Sequence, residues 1–374
     1  MLSRRSFLGA SAALVAAPAL PVAAQEALPF IRLDFNADAV SRLLDLQAAK
    51  DDGDAAIDSL LALPAYKNVI RVGEGEGSLA RDLLATNAKA VIRGTATVRS
   101  QPREDAARLF INNPAGYRAL LTELEQTKAA RAKRIAAHLS GFTPDVLRKS
   151  GKPIVQTVYL HFGGTWDALN VNGDIFLNLH YWTEYHRPSL AGLNMIVAHE
   201  AMHTVQNRAF GNPELQDTGE GAFFTALSKI QREGTARYVE VDTDPAPYPP
   251  FTYGFHFRAI SIETVRNFAT LLPQLQTLYD ACFPVYDKAR FVEAYRTGIN
   301  NGGDFYALGH GAAKVIDERA GRAALLQTIT GGPKAFWSRY AEQTKKERTL
   351  PPLPDAVAKR LSSLPASFTP PTPG

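Results

Sequence analysis

A single cysteine, three methionines and eight histidines stand in 374 residues. One cysteine closes no intramolecular disulfide and makes no cysteine-only metal site, so stability must come from a core. Cys282 itself is expected to be a buried apolar thiol. Charge of one sign is also lacking. The formal charge is +4, and only +2 once a leader carrying Arg4 and Arg5 is set aside, which gives no grounds for nucleic-acid binding. Beyond the leader there is no apolar run of about 18 residues, so no membrane span is expected. What is present, 45% hydrophobic and 21% charged residues, is the composition of a soluble globular protein. The length suits one large or two ordinary domains.

The first stretch, MLSRRSFLGASAALVAAPALPVAAQ, has a basic start, an apolar middle and small residues, Val22 and Ala24, before a cleavage point. Residues 1–24 are therefore read as a signal peptide. Ser3-Arg4-Arg5-Ser6-Phe7-Leu8 resembles the twin-arginine export signal, which implies a periplasmic or secreted protein. The mature chain is expected to begin near Gln25.

Two textures follow. From about Asn36 to Ser150 apolar residues recur at three and four, so 25–150 is expected to be a helical region. Its basic run, Lys128, Arg131, Lys133 and Arg134, reads as a solvated helix face, and His138 as a helix-end residue. From about Lys152, IVQTVYLHFGG and DALNVNGDIFLNLHYW are rich in branched and aromatic residues and read as strands, with Asn172-Gly173 as a turn. Helices are then expected at about 189–207, with Ser189 as cap, and at about 221–240, 259–278, 289–297, 305–320 and 333–346. The fold class is α+β, predominantly helical, with a small sheet. Residues 151–350 form the second region, and 351–374 a proline-rich tail, mobile or extended.

Within the helix at 189–207 lies HEAMH, which places His199 and His203 on one face, one turn apart. Both imidazoles can reach one zinc ion, while Glu200, displaced around the helix, is near it without binding it. A metzincin would continue with glycine and histidine at 206 and 209, where this chain has Gln206 and Ala209. The third ligand is expected from the next helix. Glu233 is the first candidate, because Gly234, Thr235 and Ala236 allow close approach, and Glu220 is the rival. His161, His180, His186 and His256 are expected to pack with aromatic neighbours. Arg237 and Glu240, on the Glu233 side of that helix, could orient a ligand.

HEAMH and REGTARYVE, followed by YALGHGAAKVIDERAGRAALLQTI, resemble the gluzincin branch of zinc peptidases, and within it bacterial families of zinc-dependent proteases whose third ligand begins a Glu-Gly-x-Ala run. The resemblance covers about Val155 to Tyr340. It implies a zincin-like fold, one zinc per chain on His199, His203 and Glu233, Glu200 as general base, and a peptide or protein as substrate. It also implies an oxyanion donor after the third ligand, which points to Tyr306 or His310, four apart on one helix. NGDIFLNL is either an edge strand that pairs with substrate or equally a buried strand, and residues 242–257 form a loop that could border the cleft or serve only as a connector. A zinc hydrolase of another amide or ester, and a non-enzymatic envelope protein with a structural metal, stand as the alternatives; Glu200 argues against the second.

Overall fold

The computed structural model describes residues 30–75, 80–95, 108–163, 168–179, 183–184, 187–190, 192–212, 217–240, 268–299 and 304–365. Strand β1 (Ile31–Asn36) is followed by helices α1 (Asp38–Ala49), α2 (Asp54–Leu61), α3 (Pro64–Gly75), α4 (Ala80–Arg93), α5 (Pro114–Ser140) and α6 (Asp145–Lys149). Strands β2 (Ile154–His161), β3 (Ala168–Val171) and β4 (Asp174–Asn178) come next, with a two-residue pair, β5 (Thr183–Glu184) and β6 (Arg187–Pro188). Helices α7 (Leu193–Ala209), α8 (Gly219–Glu240), α9 (Pro273–Cys282), α10 (Lys288–Ile299), α11 (Asp304–Ala320), α12 (Arg322–Lys346) and α13 (Asp355–Ser363) complete the described chain. The class is the α+β, mainly helical one that the periodicities indicate.

The sheet runs β1-β2-β4-β3, with β1 and β4 parallel to β2 and β3 antiparallel to β4. Asn172 and Gly173 both have positive φ, 54° and 91°, the requirement of a tight hairpin turn, and they join β3 to β4. Alternation decides the faces. Ile154, Gln156, Val158 and Leu160 are buried, while Val155 on the opposite face is 61% exposed. The buried face lies on α7: Gln156 Nε2 donates to Thr204 Oγ1 at 2.8 Å, and Asn170 Nδ2 donates to the same oxygen at 2.8 Å and to the Glu200 carbonyl at 2.7 Å. These bonds seat the sheet on the turn of α7 that carries Glu200.

Glycines set the crossing of α8 and α11. A Cβ on Gly234 would lie 2.1 Å from the Gly309 carbonyl carbon, and one on Gly309 would lie 1.9 Å from the Ile230 oxygen. Two helix backbones thus touch where a side chain would hold them apart. The cores of these elements join in one buried cluster that runs from Ile31 to Leu364. Cys282 is buried in it as expected, and burial pushes its thiol up to about 12.

Of the two readings of NGDIFLNL the structure shows the buried one: β4 is an interior strand, because β3 pairs along its outer side, and among the described residues the edge beside α7 is β3. Other expectations need correction. Ser189 does not cap α7, which starts three residues later from Gly192 in a left-handed conformation with φ 77°. The tail is not wholly extended: α13 buries Val357 and Leu361, and Arg360 lies over the Phe283 ring. Helix α12 begins eleven residues before Pro333, and Gly332, at φ 67°, kinks it there. Within the basic run, Arg131 reaches Asn194 of α7 at 3.2 Å and so ties α5 to that helix. The described part of the expected 259–278 helix begins with a 3-10 turn, Phe268–Leu271, and α9 runs on to Cys282.

Candidate metal centre

Helix α7 is buried along most of its length, and His199, at 6% exposure, faces α8. His203 lies one turn on. Their Nε2 atoms are 3.2 Å apart, and Glu233 Oε2 of α8 lies 3.3 Å from His199 Nε2 and 3.4 Å from His203 Nε2. Among the described residues this is the one group of His, Cys, Asp and Glu whose donor atoms converge in this way. The triangle can be tested against an ion. A tetrahedral zinc with bonds of about 2.0–2.1 Å spaces its ligand atoms by about 3.3–3.4 Å, the size of this triangle. Two imidazoles and a carboxylate are also the donor set zinc takes in open sites, so the residues fit the metal.

Partners hold each of the three side chains from behind. His199 Nδ1 donates to Glu240 Oε2 at 3.1 Å, and Arg237 Nη1 donates to Glu240 Oε1 at 2.6 Å. His203 Nδ1 donates to Gln206 Oε1 at 2.9 Å, and Gln206 Nε2 in turn donates to the Arg232 carbonyl at 2.9 Å, which fixes the amide. With both Nδ1 atoms committed as donors, both Nε2 lone pairs point to the triangle. Lys229 Nζ donates to Glu233 Oε1 at 2.5 Å.

Electrostatics agree with a cation site. Burial alone would keep His199 neutral, but hydrogen bonds to Glu233 and Glu240, with the charges of Glu240 and Glu200, outweigh it and raise its pKa to about 10. Burial would raise Glu233, yet Lys229, His203 and His199 hold it well below the usual carboxylate range. Glu240 is lowered against the same burial by Arg237 and His199. A positive charge is therefore wanted among these acceptors. A proton would meet that need, and so would a dication.

The other sequence-derived residues fall in different places. Glu200 is buried on α7 directly after His199, and its charge reaches that imidazole. Tyr306, on α11, stacks on the His199 ring with centroids 6.3 Å apart and planes at 18°, and the Arg237 guanidinium stands 5.6 Å from its ring centre. His310, one turn further, is 6% exposed, meets the Tyr238 ring at 5.4 Å, and is lowered to about 4 by burial; its Nδ1 has no hydrogen-bond partner among the described residues. Glu220 is at the other end of α8, paired with Arg360 at 2.9 Å, and is not among the converging donors. His161 packs edge-on against Tyr66, as expected, and His138 Nε2 donates to the Val239 carbonyl at 2.7 Å. His180, His186, His256 and the loop 242–257 lie outside the described residues.

Sequence reasoning missed Lys229 and Gln206, and also Tyr295 of α10, whose hydroxyl feels Lys229 and Glu233. The first two had a signal. Lys229 is four residues before Glu233 and Gln206 three after His203, the spacings at which helical side chains meet. Tyr295 had none, because α10 reaches the centre only through tertiary packing.

Comparison with known families bears on this geometry. Residues 57–349 match one family across most of the chain. The chain belongs to the family described as "Putative zinc dependent peptidase (DUF5700)". HEAMH, REGTARYVE, the α8 and α11 crossing and part of the N-terminal helical region lie inside the span matched by this family. Residues 1–21 match the twin-arginine translocation signal, so this family member carries an export signal to the periplasm or beyond. No described helix is long and apolar enough to cross a membrane. No curated protein and no solved structure matches the chain.

Proposed function

We propose that this chain is an exported zinc metallopeptidase of the gluzincin type, with His199, His203 and Glu233 as metal ligands and Glu200 as general base. The observation that carries the proposal is the triangle of two Nε2 atoms and one carboxylate oxygen, with edges of 3.2, 3.3 and 3.4 Å. Zinc bound there supplies a Lewis acid for the scissile carbonyl and a water of near-neutral pKa.

The chain's own residues do the rest. Glu200 follows His199 on a helix whose turn is fixed by Asn170 at the Glu200 carbonyl, and its charge acts on the His199 imidazole although it is not one of the three converging donors. It receives a proton from the water that attacks the peptide carbonyl and delivers that proton to the leaving nitrogen as the C–N bond breaks. Negative charge that develops on the carbonyl oxygen calls for a donor, and Tyr306 and His310 on α11 are the candidates. Tyr306 is the better placed, because its ring stacks on His199, whereas His310 packs on Tyr238. An extended substrate would add to β3, the edge strand whose Asn170 touches the base-bearing turn.

Two substitutions test the roles together. Glu200→Gln keeps the size of the side chain but accepts no proton, so metal content is expected to stay and peptide hydrolysis to fall about 100-fold or more. Glu233→Gln removes a charged ligand, so metal content itself is expected to fall, and hydrolysis with it. Loss of metal in Glu200→Gln together with full metal and activity in Glu233→Gln would overturn the assignment.

A further inference from the structure

Glu233 differs from the two histidines in having two equivalent donor atoms. Only Oε2 faces the imidazoles; Oε1 is taken by Lys229 Nζ at 2.5 Å, from the preceding turn of the same helix. We propose that Lys229 is a positioning residue that makes Glu233 a one-oxygen ligand and so keeps the metal site four-coordinate with one place open. The inference rests on the metal reading above and adds to it the control of coordination number.

Three observations support it. Among the described residues, Lys229 makes its hydrogen bond to Glu233 and to no other group, so its ammonium is committed there. Glu233 is 7% exposed and Lys229 35%, so this is not a pair between two solvent-exposed groups; a half-buried amine reaches a buried carboxylate. Finally, the histidines are each fixed through the atom remote from the triangle, by Glu240 and by Gln206. Lys229 gives Glu233 the same treatment, and without it Glu233 would be the one ligand free to swing. A freed carboxylate can turn both oxygens to an ion, which adds a fifth bond and fills space needed by water and substrate.

The experiment uses the full mature chain loaded with cobalt(II), whose visible bands are several-fold more intense in four-coordinate than in five-coordinate sites. Metal content and circular dichroism are recorded on the same samples. Wild type and Lys229→Arg are expected to give the intense bands. Lys229→Met, folded and metal-loaded, is expected to lose several-fold in intensity. Loss of cobalt uptake in Lys229→Met that Lys229→Arg restores also supports the holding role. Wild-type intensity in fully loaded Lys229→Met overturns the proposal, and so does a loss that Lys229→Arg fails to restore. If wild type takes up neither cobalt nor zinc, the metal reading fails first and this inference falls with it.

Discussion

Replacing Gly309 with alanine adds one methyl group where α11 touches α8. The new Cβ would stand 1.9 Å from the Ile230 oxygen, 2.9 Å from the Ile230 carbonyl carbon and 2.8 Å from the Gly234 Cα. Carbon and oxygen approach in folded proteins to about 3.3 Å at closest, so the helices must part by about 1 Å or more. The obstructing atoms are backbone, which cannot rotate away as a side chain could. Overpacking of this kind costs about 1–3 kcal/mol, and a rigid wall argues for the top of that range. Alanine returns up to about 1 kcal/mol of helix propensity, leaving a net loss of about 2 kcal/mol. With a urea dependence of about 2–3 kcal/mol per molar, the unfolding midpoint should fall by about 1 M. Function should suffer more than stability. Glu233 adjoins Gly234 on one side of the contact and Tyr306 lies within a turn on the other, and a displacement of about 1 Å at a catalytic centre can cost about 100-fold. The assays are urea unfolding, zinc affinity by chelator competition, and hydrolysis of a peptide library. A Gly309→Ala protein with wild-type midpoint and wild-type zinc affinity would refute the backbone contact and the dependence of the metal site on it.

Glu240→Gln leaves a weaker, neutral acceptor on His199 Nδ1 and removes the carboxylate charge paired with Arg237, so zinc affinity should drop about 10- to 100-fold, measured by chelator competition. Tyr306→Phe and His310→Gln separate the two oxyanion candidates: the true donor should lower kcat about 100-fold with little change in metal content, and two near-wild-type rates would exclude both. His161 gives a pH test away from the centre. Burial lowers its pKa to about 4, against about 6.5 in the unfolded chain, so its stability contribution is present above pH about 6.5 and is lost as pH falls toward 4. Denaturant unfolding should therefore show a loss between pH 7 and pH 5 that is about 2 kcal/mol smaller in His161→Gln, and equal losses would mean that the imidazole titrates normally.

The sequence alone determined the export signal, the helical class, the β3–β4 turn and the pairing of His199 with His203. Each is a local matter: a leader is read by composition, a turn by Asn172-Gly173, and two histidines four apart share a helix face whatever surrounds them. It also ranked Glu233 above Glu220 through the small residues that follow Glu233, a local sign of close helix approach. Only the tertiary structure decided what meets what. The order β1-β2-β4-β3 makes β3 the edge and encloses β4, and no pattern within NGDIFLNL could reveal that, because pairing joins segments distant in the chain. The tail helix was hidden because its few apolar residues, Val357 and Leu361, become informative only against α9 and α12. The same holds at the centre. That Glu220 pairs with Arg360 of α13, that Tyr306 of α11 stacks on His199, and that α10 brings Tyr295 to Lys229 all follow from helix crossings. One of those crossings is set by the absence of two side chains, at Gly234 and Gly309, and what an absent side chain permits depends on the partner it faces.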